Sequence, residues 1–192
     1  MPEIVIRPPS SREELVAELV RVGAETVQFW MRFEPDEFFR PIGEAWSPCD
    51  NVRHLTRSVA PVAQALRIPR VVLALLFGRA AGPSRSYEAI ETTYRQALAG
   101  GGRASGRFVP QPLVVPSDPV AVQRKIVAHL EAANAALVSR IPSWSETALD
   151  RYRLPHPLLG RLTVREMLFF TLFHGLHHTR NVARRKGLWP AA

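Results

Sequence analysis

Near the C-terminal end of an apolar stretch the chain reads His174-Gly-Leu-His-His178. His174 and His178 are four residues apart, so on a helix their imidazoles share one face, one turn above the other. Two imidazoles at that spacing can grip a single divalent metal, as the helical His-Glu-x-x-His motif does for zinc. Gly175 follows the first histidine here, so the glutamate base of a metalloprotease is absent. None of the fourteen residues after His178 is a histidine, and a third imidazole must therefore come from upstream. The candidates are His54, His129 and His156.

Four long helical segments can position these residues. The first runs from about Ser11 to Arg32, with Leu15, Leu19, Val22, Thr26, Phe29 and Trp30 on one stripe and Ser11 with Glu14 as a capping box. The second opens at Ser47-Pro48-Cys49-Asp50, an N-cap serine, a first-turn proline and an acid. Its stripe is Val52, Leu55, Val59, Val62, Ala63 and Leu66. Pro61 falls inside it and is expected to kink it near Arg57. Residues 71–77, after Pro69, read as a short continuation or a separate buried turn. Between residues 78 and 117 the pattern is less regular: a helix is possible from Tyr87 to Leu98, Gly100-Gly101-Gly102 stops it, and an extended loop follows to Pro116. The third long helix starts at Asp118-Pro119 and runs to about Arg140. A proline-rich loop then leads to Thr163-Val-Arg-Glu166, a second capping box, and to the fourth helix, which Gly187 stops. No repeat and no convincing set of alternating strands is present. The expected fold is an all-α, four-helix bundle in one domain over residues 1–192, with a loop-rich insertion between the second and third long helices.

On these helices His54 sits one turn into the second, beside Leu55, and His174 and His178 lie on the stripe of the fourth that carries Met167 and Phe170. A single histidine on an apolar face is more often a core residue satisfied by a carbonyl. An i,i+4 pair joined by His54 from another helix points instead to a metal site in the bundle interior. His177 is rotated by about 60° from His174 and suits an outer donor or a rim residue. His129 is expected at the surface, and His156, between two prolines in a loop, is not expected to be a ligand. Cys49 reads as a capping-turn residue. Gly175, costing about 1 kcal/mol in mid-helix, suggests close approach of a neighbouring helix or ligand.

Composition narrows the rest. The chain of 192 residues carries a net charge of +8, but Lys125 and Lys186 are its only lysines among 25 basic residues. The arginines are spread along the chain and accompany no recognition motif, so nucleic acid is not an expected partner. The densest cluster, Arg180, Arg184, Arg185 and Lys186, suits the C-terminal pole of a helix dipole. No apolar run reaches membrane-spanning length, and the N-terminus lacks the apolar core and cleavage site of a signal peptide. With one cysteine and no internal disulfide, the cytoplasm is the expected compartment.

Trp46-Ser-Pro, then His54-Leu55 on a helix, then Gly160-Arg-Leu-Thr-Val-Arg-Glu166 leading into His174-x-x-x-His178 resembles the DinB/YfiT-like superfamily over nearly the whole chain. That resemblance implies a four-helix bundle whose divalent metal, nickel, zinc or iron, is held by one histidine of the second helix and two of the last, here His54, His174 and His178. A glutamine often follows the pair by three positions in the family; this chain has Asn181. The resemblance also implies thiol transferase or thiol-dependent isomerase chemistry with bacillithiol or mycothiol, and a homodimer; exposed apolar residues of 71–77 are the expected contact if that segment does not fold back. Arg53, Arg57 and Arg180 are candidates to hold the acidic parts of a small thiol, with an electrophile as its acceptor. A metal-dependent hydrolase and a non-catalytic bundle that binds metal or a small ligand are the alternatives.

Overall fold

Side-chain oxygens placed one residue ahead decide where the long helices begin. In a computed structural model describing residues 3–189, Ser11, Ser47, Asp118 and Thr163 each accept the backbone N–H three residues on. They open α1 (Arg12–Trp30), α3 (Pro48–Ala65), α6 (Pro119–Val138) and α8 (Val164–Arg185). Between them lie α2 (Pro35–Phe39), α4 (Arg70–Phe77), α5 (Tyr87–Ala99), α7 (Glu146–Arg151) and two short strands, β1 (Arg153–His156) and β2 (Gly160–Thr163). The Thr163–Glu166 capping box is complete. The Ser11–Glu14 box is only half made, because the Glu14 carboxylate turns instead to the N–H and hydroxyl of Ser10.

The protein is mostly helical. Both α1 and α3 pack against α6 and α8, and α5 covers a further side of α8. The predicted stripes meet in the middle: Leu15, Val22, Val52, Leu55, Met167 and Phe170 are all buried, with Leu130 and Leu137 of α6 beside them. Burial of one such leucine or valine contributes about 1.5–3 kcal/mol, far more than helix propensity does, so the stripes set which faces turn inward. At the start of α8, Arg165 binds Glu146 and Asp150, and Glu166 takes the N–H and Nε of Arg85 at 2.9 Å each. These contacts fix α7 and the approach to α5 on the helix that carries the histidine pair. At the far end of α8, Gly187 adopts φ +66° and lets the Leu188 N–H reach the Ala183 carbonyl at 2.8 Å, the stop expected there.

Several expectations change. The segment joining α3 to α6 is less loop-rich than expected, since it holds α4 and α5. Its irregular parts are residues 78–86 and 100–118, the second broken by one 3-10 turn at Gly106–Phe108. Gly102 is required where α5 ends: its N–H donates to the Ala97 carbonyl at 2.9 Å, and a Cβ would stand 2.7 Å from that oxygen. Residues 71–77 are not a buried turn; α4 leaves α3 at 115° and buries only Leu73. The proline-rich loop after α6 contains an antiparallel hairpin, Leu154 facing Leu162 and Pro155 facing Arg161. Four residues with a proline among them are too few to show alternation, and a two-stranded hairpin tolerates Pro155 because each strand is an edge. Gly175 has no heavy atom within 4 Å of where its Cβ would lie, so close approach does not explain it. Among the described residues, no single helix is long and apolar enough to cross a membrane.

Candidate metal centre

The Trp46-Ser-Pro start of α3 and the middle of α8 face one another, and three imidazoles meet between them. His54 Nε2 and His178 Nε2 each lie 3.1 Å from His174 Nε2. One ring nitrogen from each of the three lies within 4.8 Å of the others. His54 and His174 are buried, and His178 is half-buried. Trp46 stacks parallel to His178 at 6.2 Å and tilts over His54 at 5.1 Å. Phe170, one turn before His174, stacks on that ring at 4.8 Å.

The protons on these rings are fixed by their neighbours. His54 Nδ1 is 2.8 Å from the Phe108 carbonyl, which can only accept. His178 Nδ1 is 2.6 Å from Asn51 Oδ1, whose amide is oriented by donation from Nδ2 to the carbonyl of Ser47 at 2.8 Å. Both rings therefore carry the proton on Nδ1 and turn a bare Nε2 lone pair toward His174. Burial holds His54 below its ordinary pKa, and burial with repulsion from neighbouring histidines holds His174 and His178 well below theirs. Converging lone pairs on neutral imidazoles repel unless a cation, or a proton on His174 Nε2, lies between them. Three nitrogens at about 2.0–2.1 Å from one ion, subtending 90–109°, stand about 2.9–3.4 Å apart. The observed 3.1 Å separations fit that donor set.

No Asp or Glu joins the cluster among the described residues, so the set contributes no negative charge. The rings form part of the wall of a cavity of about 580 Å³, enclosed by α3, α5, the loop around Phe108, the hairpin and α8. Apart from the histidines, its walls are mainly apolar, with Val62, Phe77, Leu98, Leu154 and Phe170 among them.

The sequence model of the DinB superfamily matches residues 18–182, a span that contains all three histidines, Trp46 and Asn51. The chain belongs to the DinB superfamily. Neither a curated protein nor a solved structure matched it.

In this DinB protein the other sequence candidates separate clearly. His129 is exposed on α6. His177 lines the cavity but stays out of the three-histidine group, its Nε2 accepting from Asn181 Nδ2 at 3.0 Å. Asn181 therefore serves His177 rather than the triad. His156 is not in a loop: it ends β1, is 9 % exposed and lines the cavity. Cys49 is fully buried and its thiol is pushed up to about 12, so burial outweighs the helix dipole that would lower it. Arg53, Arg57 and Arg180 do not line the cavity. Arg53 donates to the Gln111 carbonyl at 2.6 Å and Arg57 to the Val109 carbonyl at 2.9 Å, pinning the loop whose Phe108 holds His54. Arg180 pairs with Glu3 at 2.8 Å. The guanidinium groups at the cavity belong to the exposed Arg103 and Arg107.

Sequence reasoning missed Asn51, Phe108 and the placement of His156. Asn51 had a signal, since it lies three residues before His54 on the same helix face. The Phe108 contact is made by a main-chain oxygen, which no side-chain pattern reveals.

Proposed function

We propose that this DinB protein is a metal-dependent enzyme that holds one divalent ion, nickel, zinc or iron, through Nε2 of His54, His174 and His178, and that it transfers a low-molecular-weight thiol to an electrophile. In this reading α1, α3, α6 and α8 are the family's four-helix bundle, and the segment carrying α4 and α5 is its insertion. The observation that carries the proposal is the convergence of three Nε2 atoms, those of His54 and His178 with oriented lone pairs, on the wall of a roomy, largely apolar cavity. When bound there without a carboxylate, an ion supplies strong Lewis acidity, under which a thiol loses its proton near neutral pH.

The chain's own residues do the rest. Asn51 and the Phe108 carbonyl hold two rings in the ligating tautomer. Trp46 covers the rings of His178 and His54, Phe170 covers that of His174, and together they keep water from them. Arg103 and Arg107 offer positive charge to the acidic parts of a thiol at the cavity's exposed side. We also propose self-association through α4, where Val71, Val72, Leu75 and Leu76 lie exposed without a charge between them. A second copy presents the same strip, as an isologous interface needs.

The test is to load tag-free protein with each metal and incubate it with bacillithiol or mycothiol and a chromogenic aryl halide. A thiol conjugate whose formation stops in His54→Ala supports the reading. Hydrolysis of an ester without thiol consumption moves the function to a hydrolase. Metal bound with neither activity leaves a non-catalytic binding bundle.

A further inference from the structure

The hairpin between α7 and α8 places an unassigned donor in the cavity. His156 Nδ1 receives two backbone N–H groups of the turn that follows, from Leu158 at 3.2 Å and Leu159 at 3.0 Å. Nδ1 must therefore be bare, and the ring's proton sits on Nε2. Among the described residues Nε2–H has no hydrogen-bond partner and is not fully buried, and His156 lines the cavity. The ring packs edge-on against Phe170 at 4.2 Å, and Phe170 stacks on His174, so one phenyl ring separates His156 from the metal centre. Burial pushes His156 down to about 4, which keeps it neutral at physiological pH.

The turn alone does not need a histidine. An asparagine or aspartate oxygen accepts the same two N–H groups, as in many tight turns. What histidine adds is a second polar atom on the far side of the ring, directed away from the turn. In a wall made largely of Leu154, Leu158, Met167 and Phe170, an unpaired N–H is costly unless a ligand or water takes it. A neutral ring with one donor suits an uncharged acceptor, and the apolar surroundings suit an aromatic or aliphatic body.

We propose that His156 anchors the organic substrate of this cavity by donating from Nε2–H to an uncharged acceptor oxygen, such as a carbonyl, of an otherwise apolar molecule lying between the hairpin and the three histidines. The assignment rests on the cavity being the substrate site of the metal-dependent reading above.

The test uses two probes of the same shape, acetophenone and ethylbenzene, titrated into wild type and His156→Asn and followed by ligand-observed NMR. Asparagine keeps an acceptor for the turn at the Nδ1 position but places no donor at Nε2. Acetophenone affinity is expected to fall about threefold to tenfold in His156→Asn, as for loss of one neutral hydrogen bond, with ethylbenzene changed less than about twofold. In wild type labelled with nitrogen-15 at histidine, the His156 Nε2–H proton is expected to move downfield with acetophenone and not with ethylbenzene, a readout independent of any variant's folding. Equal losses for both probes, no loss of the ketone, no ketone binding at millimolar concentration, or an unmoved Nε2–H resonance overturns the proposal. Both measurements are made with and without added zinc. A ketone-selective loss in a chain that holds no metal leaves the anchor standing and refutes the metal reading. Bound metal without the selective loss does the reverse.

Discussion

Asn51 Oδ1 lies 2.6 Å from His178 Nδ1, so a residue of the first turns of α3 orients the last histidine of α8. The same amide donates to the carbonyls of Ser47 and Trp46, at 2.8 and 3.3 Å. Replacing Asn51 with alanine leaves all three histidines in place but frees the His178 ring to rotate and change tautomer. Outer-shell partners of this kind typically contribute about 10–100-fold in metal affinity. Asn51→Ala is therefore expected to weaken zinc binding by that factor in competition with a chromophoric chelator; wild-type affinity would remove Asn51 from the site.

Gly175 offers a prediction of opposite sign. It lies inside α8 with open space where a Cβ would go, and the helix needs no positive φ there. Gly175→Ala is expected to stabilise the protein by up to about 1 kcal/mol, raising the melting temperature by about 2–4 °C without changing metal content. A lower melting temperature would show that the glycine is needed by a state other than this one.

Acid should act first on the buried histidines. His156 titrates at about 4 in the fold against an ordinary 6.5, because burial disfavours its charged form. As pH falls below 6.5 the unfolded chain takes up the proton and the folded one does not. The contribution is thus complete above about 6.5 and is lost toward 4, at about 1.4 kcal/mol per pH unit and on the order of 3 kcal/mol in all. His54, His174 and His178 are shifted in the same direction, so the metal-free protein should lose stability steeply over this range. Urea denaturation from neutral pH to about 4.5 checks this, and His156→Asn should remove one proton's worth of the slope. An unchanged slope would mean that His156 is not held neutral by the fold.

Leu75 and Leu76, 81 % and 57 % exposed on α4, give the self-association proposal its test. Leu75→Glu with Leu76→Glu is expected to convert a dimeric mass in light scattering to a monomeric one, with metal content unchanged. A monomeric mass for wild type at micromolar concentration ends the proposal.

The starts of the long helices and the convergence of His54 with the histidine pair were legible because each rests on a local pattern. A capping side chain accepts an N–H three residues on and marks a helix start at the next residue, and apolar stripes fix which face of α3 and α8 turns inward. What the pattern did not hold was tertiary. Arg53 and Arg57 look like free cations in sequence, yet they are consumed by carbonyls of a loop about fifty residues later. His156 looked constrained by its prolines, but the hairpin that buries it depends on pairing with residues beyond the turn. By sequence α4 reads as a continuation of α3 or a buried turn, yet it turns away from α3 and leaves most of its apolar side chains in solvent.

The most direct test of the three-histidine centre is metal analysis with X-ray absorption on tag-free protein and single alanine variants. Wild type is expected to bind about one ion per chain with three imidazole nitrogens at about 2.0–2.2 Å. His54→Ala, His174→Ala and His178→Ala should each lose most of the metal, while His177→Ala and His129→Ala keep it. Metal retained in His178→Ala but lost in His177→Ala, or a wild-type protein that binds no divalent ion, would contradict the account.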